Sequence, residues 1–168
     1  VIENLILGID KKLSMGELIQ KSQSISTKYG FNLNLDSPIS SLSVGQRQSV
    51  EIVRSLLNDP KILILDEPTS VLTPDEIKNL FKIIVNLVND KLTVIFISHK
   101  LEEIIKLSDK VTILRGGEVV DTLITKNENP DSLGFKMLGY KIAKLKRNKI
   151  RDISKILLSL NNVSTFNQ

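Results

Sequence analysis

The chain contains no cysteine, no tryptophan, a single histidine and few aromatic residues of any kind, 4% in all. Without cysteine neither a disulfide framework nor a thiolate metal site can form, and a lone imidazole cannot build a multi-histidine metal centre. A reducing, cytosolic setting is allowed by this composition but does not follow from it. Uninterrupted apolar runs are short as well. Ile62 to Leu65 is typical, far below the ~18 residues that a bilayer crossing needs, so any membrane role is expected to be peripheral. What remains, 41% hydrophobic and 25% charged residues over 168 positions, is the profile of an ordinary globular protein of about one domain. The sequence opens on Val1, without an initiator methionine or signal pattern, and is expected to be a piece of something longer.

The formal charge is +4, which raises nucleic-acid binding as a possibility until the distribution is considered. Lys141, Lys144, Lys146, Arg147, Lys149, Arg151 and Lys155 stand against one acid, Asp152, a local balance of +6 that leaves −2 for the rest. A basic stretch this short, with no interleaved aromatics, is expected to be a solvated linker over 141–155.

Along the chain, Leu18, Ile19, Ile25 and Tyr29 recur at helical spacing between Met15 and Tyr29, with Gly30 placed for a left-handed cap. Ser43 followed by Gln46 is a capping-box pattern, predicting a helix to about Leu57 with Val50, Val53 and Leu57 on its buried stripe. Asn58, Asp59 and Pro60 stop it. Ile62 to Leu65 then reads as a strand buried on both faces of a parallel sheet, ended by Asp66 and Glu67. Thr73, Pro74 and Glu76 repeat the helix-start grammar, and Ile77, Leu80, Phe81, Ile84 and Val88 form an apolar stripe. A second strand, Leu92 to Ile97, delivers Ser98 and His99. After a helix at Leu101 to Leu107, the Gly116-Gly117 pair joins strands Val111 to Arg115 and Glu118 to Leu123 as a hairpin expected to close the sheet. Asp131 to Gly139 suggests a last short helix, and Ile156 to Val163 alternates like the first strand of a further domain. The alternation predicts an α/β fold with a mostly parallel sheet flanked by helices, whose carboxyl edge gathers Asp66, Glu67 and His99.

No GxxxxGKS, GxxxxGKT or GxGxxG occurs, since no glycine in the chain is followed by lysine. A strand ending in two carboxylates is the other half of a P-loop ATPase site, one acid suited to a magnesium ion through water and the next to a hydrolytic water. An acidic helix-entry turn has the same local pattern. Likewise Leu42 to Gln48 opens a helix whose amides and dipole favour an anion, or is simply an ordinary capped helix. His99, directly after a buried strand, can donate to a phosphate oxygen or serve as a structural histidine.

Order and spacing decide among these. The run LSVGQRQ, a helix, ILILDEP, TSVLTP, a helix, and then VIFISH resembles the ATP-binding cassette ATPases, whose signature motif, Walker B strand, D-loop and switch histidine follow in that order. The resemblance covers roughly 1–140, within a P-loop NTPase-like fold, and implies ATP and Mg2+ as cofactors. It implies that Ser43, Val44, Gly45 and Gln46 form the signature that meets ATP held by an opposite cassette. It makes Asp66 the metal and cofactor-binding carboxylate, Glu67 and His99 the catalytic pair, and Ser70 to Thr73 the D-loop, with Thr73 at the cofactor seam. Two departures stand out: Thr73 occupies a position where aspartate is common, and Val44 one where glycine is usual. The P-loop, the adenine-stacking aromatic and the Gln-loop of the family are expected upstream of Val1. Residues 1–41 are expected to belong to the helical subdomain region, 42–140 to run from signature to sheet end, and 156–168 to open a second cassette. The TSVLTP-type D-loop and tandem arrangement resemble the ATPase subunits of sugar and nucleoside importers. Implied partners are a second cassette, an integral membrane permease and, indirectly, a substrate-binding protein, on the cytoplasmic side of the membrane and without nucleic acid. A soluble tandem cassette protein acting on ribosomes or nucleic acid, and an inactive fragment, are the alternatives.

Overall fold

The computed structural model describes residues 1–7, 9, 14–140, 158–159 and 161–164. The basic stretch 141–155 lies outside them, as do residues 156, 157 and 160 of the alternating run 156–163. In chain order the elements are α1 (Ile2–Leu5), α2 (Met15–Tyr29), α3 (Val44–Leu56), β1 (Ile62–Asp66), α4 (Pro74–Asn89), β2 (Thr93–Ile97), α5 (Leu101–Leu107), β3 (Lys110–Arg115), β4 (Glu118–Ile124) and α6 (Pro130–Leu138).

Four of these helices start on the same device. Ser14 with Glu17, Ser43 with Gln46, Thr73 with Glu76 and Asn129 with Ser132 each form a reciprocal capping box, in which two otherwise orphaned amides per helix find side-chain acceptors. Helix α2 ends at Gly30, whose φ of 82° fits a left-handed cap that a residue with a Cβ adopts only at a cost. None of the described helices is long and apolar enough to cross a membrane.

β1 and β2 pair in parallel, Ile62 opposite Thr93 through Asp66 opposite Ile97. Leu63 and Leu65 point into the main core, where Val94 and Phe96 join them together with Val50, Val53 and Leu57 of the α3 region and Leu80, Ile83, Ile84 and Leu87 of α4. Phe96 meets Phe81 edge-on, ring centroids 6.3 Å apart, an arrangement favoured by the ring quadrupoles. Lys28 pairs with Asp90 at 2.7 Å, fastening the end of α2 to the turn after α4.

Three expectations are corrected here. First, β1 is buried on one face only: Ile62 and Ile64 are 55% and 61% exposed, and Ile95 and Ile97 on the same face of β2 are 45% and 46% exposed. A four-residue apolar run does not say how many layers cover it, and in these residues only one layer does. Second, the hairpin does not close the parallel pair. β3 and β4 form a separate antiparallel sheet: the Gly116-Gly117 turn, with φ of 62° and 85°, pairs the two strands with each other, and neither is bonded to β1 or β2. They pack with α5 and α6 around a second small core of Ile104, Ile113 and Leu133. Third, the buried stripe of α4 is Leu80, Ile83, Ile84 and Leu87, while Val88 is exposed. Two overlapping apolar sets share that helix, and contact with β2 selects the one centred on Ile83 and Leu87.

The one-sided burial generates a test. Leu63→Ala is expected to destabilise the chain by about 2–5 kcal/mol, whereas Ile64→Thr, on the bare face, is expected to change stability by no more than about 0.5 kcal/mol. Urea unfolding of the two variants, with matched slopes, measures both.

Candidate functional site

β1 and β2 run side by side in the same direction, so their carboxyl ends open onto one rim. Asp66 is the last residue of β1 and shares the exposed face with Ile62, Ile64 and Ile97. One residue further, the Glu67 amide donates to the Ile97 carbonyl at 2.9 Å, which carries the ladder past the formal strand end. Glu67 itself has φ +45°, a left-handed conformation uncommon outside glycine, asparagine and aspartate. That turn aims its carboxylate at the exit of β2, where His99 Nδ1 lies 2.7 Å from Glu67 Oε1. Against a carboxylate, which only accepts, the imidazole Nδ1 is the donor, leaving the other ring nitrogen free to serve a second group. The second carboxylate oxygen, Glu67 Oε2, is buried and has no hydrogen-bond partner. An unpaired acceptor in such a place is costly unless water or a ligand completes it. Rim and strand ends therefore offer one half-satisfied carboxylate, one imidazole and one open carboxylate. No group of three or more acids or histidines able to hold a metal exists among the described residues.

The remaining sequence-predicted residues gather at a second corner, the joined N-termini of α3 and α4. Ser43 Oγ accepts from the Gln46 amide at 3.2 Å and Gln46 Oε1 accepts from the Ser43 amide at 2.9 Å. Thr73 donates through both its amide and its hydroxyl to Glu76 Oε2 at 2.9 Å. The other oxygen of the same carboxylate, Glu76 Oε1, accepts from Ser43 Oγ at 3.3 Å. Glu76 thus caps its own helix and reaches the N-cap of another 33 residues away. Gly45 makes that approach possible: a Cβ there would lie 2.7 Å from the Glu76 carboxyl carbon and 3.2 Å from Leu72 Cδ2. Val44 is half exposed on the outer side of the corner. The two corners are tied by the loop after β1, whose Pro68 carbonyl accepts from Gln48 Nε2 of α3 at 2.8 Å. The structure thus brings Glu67 to His99 and Ser43 to Thr73, and connects the two pairs through 67–73 without direct contact between them. Glu76 was visible in the sequence as a capping residue. Its second bond, to Ser43, leaves no local pattern.

With this geometry in place the class of the fold is defined. The chain superposes on cbiO1 from Clostridium perfringens, part of the ABC transporter complex cbiONQ, with a TM-score of 0.66 and 26% identity, covering 80% of this chain and 53% of that one. The fold is the α/β, P-loop NTPase-like fold of the ATP-binding cassettes. Residues 3–70 match the family described as ABC transporter. It is 42% identical to a ribose import ATP-binding protein of Streptococcus agalactiae over 168 residues, covering 97% of this chain and 34% of the relative. Over 147 residues it is 37% identical to a nucleoside import ATP-binding protein of Lactococcus lactis, covering 85% of this chain and 29% of that protein. The chain spans about a third of the length of the curated relatives it matches.

The Glu76 bridge generates a pH test. The Thr73 amide, then the Thr73 hydroxyl, and last Ser43 hold the Glu76 carboxyl below its ordinary value. A lowered folded value means that the stabilisation is complete above the ordinary carboxylate value and is lost as pH falls through the lowered one. Thermal melts from about pH 6 down to about pH 3 are expected to show a steeper acid loss in the parent than in Glu76→Gln. The amide keeps the cap but carries no proton to gain.

Proposed function

We propose that the chain is part of an ATP-hydrolysing, nucleotide-binding subunit that energises an importer of sugars or nucleosides from the cytoplasmic side of the membrane. The observation that carries this reading is the 2.7 Å contact between Glu67 and His99 at the rim of the parallel pair, with the second Glu67 oxygen buried and unpartnered. The import ATP-binding proteins it matches at 37–42% identity supply the solute class.

In this reading Glu67 Oε2 accepts a hydrogen from the attacking water, orienting it and drawing off charge as its oxygen becomes nucleophilic. His99 fixes the carboxylate by donating to Oε1 and keeps its other ring nitrogen for the terminal phosphate. Asp66, on the open face beside Ile97, is the carboxylate that would hold magnesium. Magnesium, when bound with the triphosphate, offsets phosphate charge. Ser43 and Gly45, at the start of α3, present the hydroxyl, amides and positive helix end that a phosphate of the opposite cassette requires, with Val44 and Gln46 shaping that end. Thr73, committed to the α4 cap and to Glu76, fixes the D-loop against the signature corner. The phosphate-cradling loop with its lysine is not among these 168 residues, so another segment of the intact protein supplies it. The partners are a second cassette and a membrane permease that closure and reopening of the pair drive. Residues 1–41, 42–140 and 141–155 act as helical-subdomain region, catalytic remainder and linker to a second cassette.

In the intact protein Glu67→Gln is expected to lower ATP turnover at the site built on this strand by about 10²–10⁴-fold while ATP binding persists. Steady-state hydrolysis and equilibrium nucleotide binding measure the two. Full turnover at that site rejects the assignment of Glu67.

A further inference from the structure

Two charged side chains beside the rim take no part in the chemistry proposed above. Glu103 lies in the first turn of α5 with its side chain only 12% exposed, and Lys100 immediately follows His99. Both converge on Thr69, which is 1% exposed and sits two residues after Glu67. Thr69 Oγ1 donates to Glu103 Oε2 at 2.6 Å, while Lys100 Nζ donates to the Thr69 carbonyl at 2.9 Å and approaches Thr69 Oγ1 at 3.2 Å and Glu103 Oε1 at 3.4 Å.

The three residues bridge the two loops that carry the site. Thr69 belongs to the loop leaving β1 and is separated from Glu67 by Pro68 alone. Lys100 and Glu103 belong to the segment leaving β2, with His99 next to Lys100. The His99 ring is 70% exposed, so packing holds it only weakly, and its distance to Glu67 depends on where the two backbones stand. A short bond from a buried hydroxyl to a carboxylate, reinforced by an ammonium group on the same atoms, adds a charge-assisted restraint between the two loops beyond the end of the strand ladder. We propose that Thr69, Lys100 and Glu103 are positioning residues that set the His99 imidazole against the Glu67 carboxylate. A cluster serving only general stability would be free to join any two elements. This one joins the neighbours of the two reacting side chains.

His99 is the sole histidine, so nitrogen-15 spectra of the chain's imidazole report on it alone. In the parent chain the neutral ring is expected to carry its proton on Nδ1, facing Glu67. Thr69→Val, which keeps the side-chain shape and removes the hydroxyl, and Glu103→Gln are each expected to lower the ratio of the Nδ1-protonated to the Nε2-protonated form about threefold or more. Thr69→Ser, which restores the hydroxyl, is expected to return it to within about a quarter of the parent ratio. Circular dichroism establishes that each variant is folded, and Glu103→Gln decides the matter if Thr69→Val is not. An unchanged ratio in a folded variant overturns the proposal. A second arm rests on the ATPase reading. In the intact protein Thr69→Val is expected to lower kcat about tenfold or more with KM for ATP within about twofold, and an unchanged kcat also overturns the proposal. Absence of turnover in the unaltered protein counts against the ATPase reading and leaves the imidazole measurement to decide this one.

Discussion

The in-register parallel pairing of β1 with β2 is the constraint on which the rest of the site depends. A parallel ladder brings two chain exits to the same edge, and its register fixes how far each runs before leaving. Asp66 stands opposite Ile97, and the bond from the Glu67 amide to the Ile97 carbonyl prolongs the ladder by one residue. His99, two residues beyond Ile97, then falls within hydrogen-bonding distance of Glu67. A slip by one position would turn every side chain of the strand to the other face, sending Asp66 into the core and Leu63 and Leu65 into solvent. The hydrophobic alternation that holds Leu63, Leu65, Val94 and Phe96 inward therefore also specifies where Asp66, Glu67 and His99 stand at the strand ends.

Around that pair the chain builds two packed regions. The larger surrounds Val50, Val53 and Leu87, and the smaller joins α5, α6 and the hairpin. The loop from Glu67 to Thr73 touches each element that carries a candidate site residue. It bonds His99 through Glu67, α3 through the Pro68 carbonyl, α5 through Thr69, and Glu76 through Thr73. This short segment thus links the Ser43 corner to the rim through hydrogen bonds as well as through packing.

Much of this organisation is local and was legible as such. The capping pairs at Ser43 and Gln46 and at Thr73 and Glu76, the Gly30 cap and the paired glycines of the hairpin are set by residues within four positions of one another, so a sequence window contains all the physics they need. The cover over β1 is not local. Ile62 and Ile64 are as apolar as Leu63 and Leu65, and only the arrangement of other elements determines which pair is bare. The same holds for the hairpin, whose turn is encoded by Gly116 and Gly117 while its separation from the parallel pair is not. At the site, the order of Ser43, Asp66, Glu67 and His99 carried the family resemblance. The bonds that tie these residues together link positions 20 to 34 apart, as in Gln48 with Pro68 and Thr69 with Glu103, and leave no periodic trace.

The left-handed backbone at Glu67 has a further consequence. A residue with a Cβ held at φ +45° stores on the order of 1 kcal/mol or more of conformational strain, which glycine or asparagine at the same position would largely relieve. An engineer seeking a sturdier chain would find that gain readily and would remove with it the carboxylate that faces His99. Endurance and chemistry are thus opposed at a single torsion angle, and the tight bracing of the neighbouring residues is what allows the strained choice to persist.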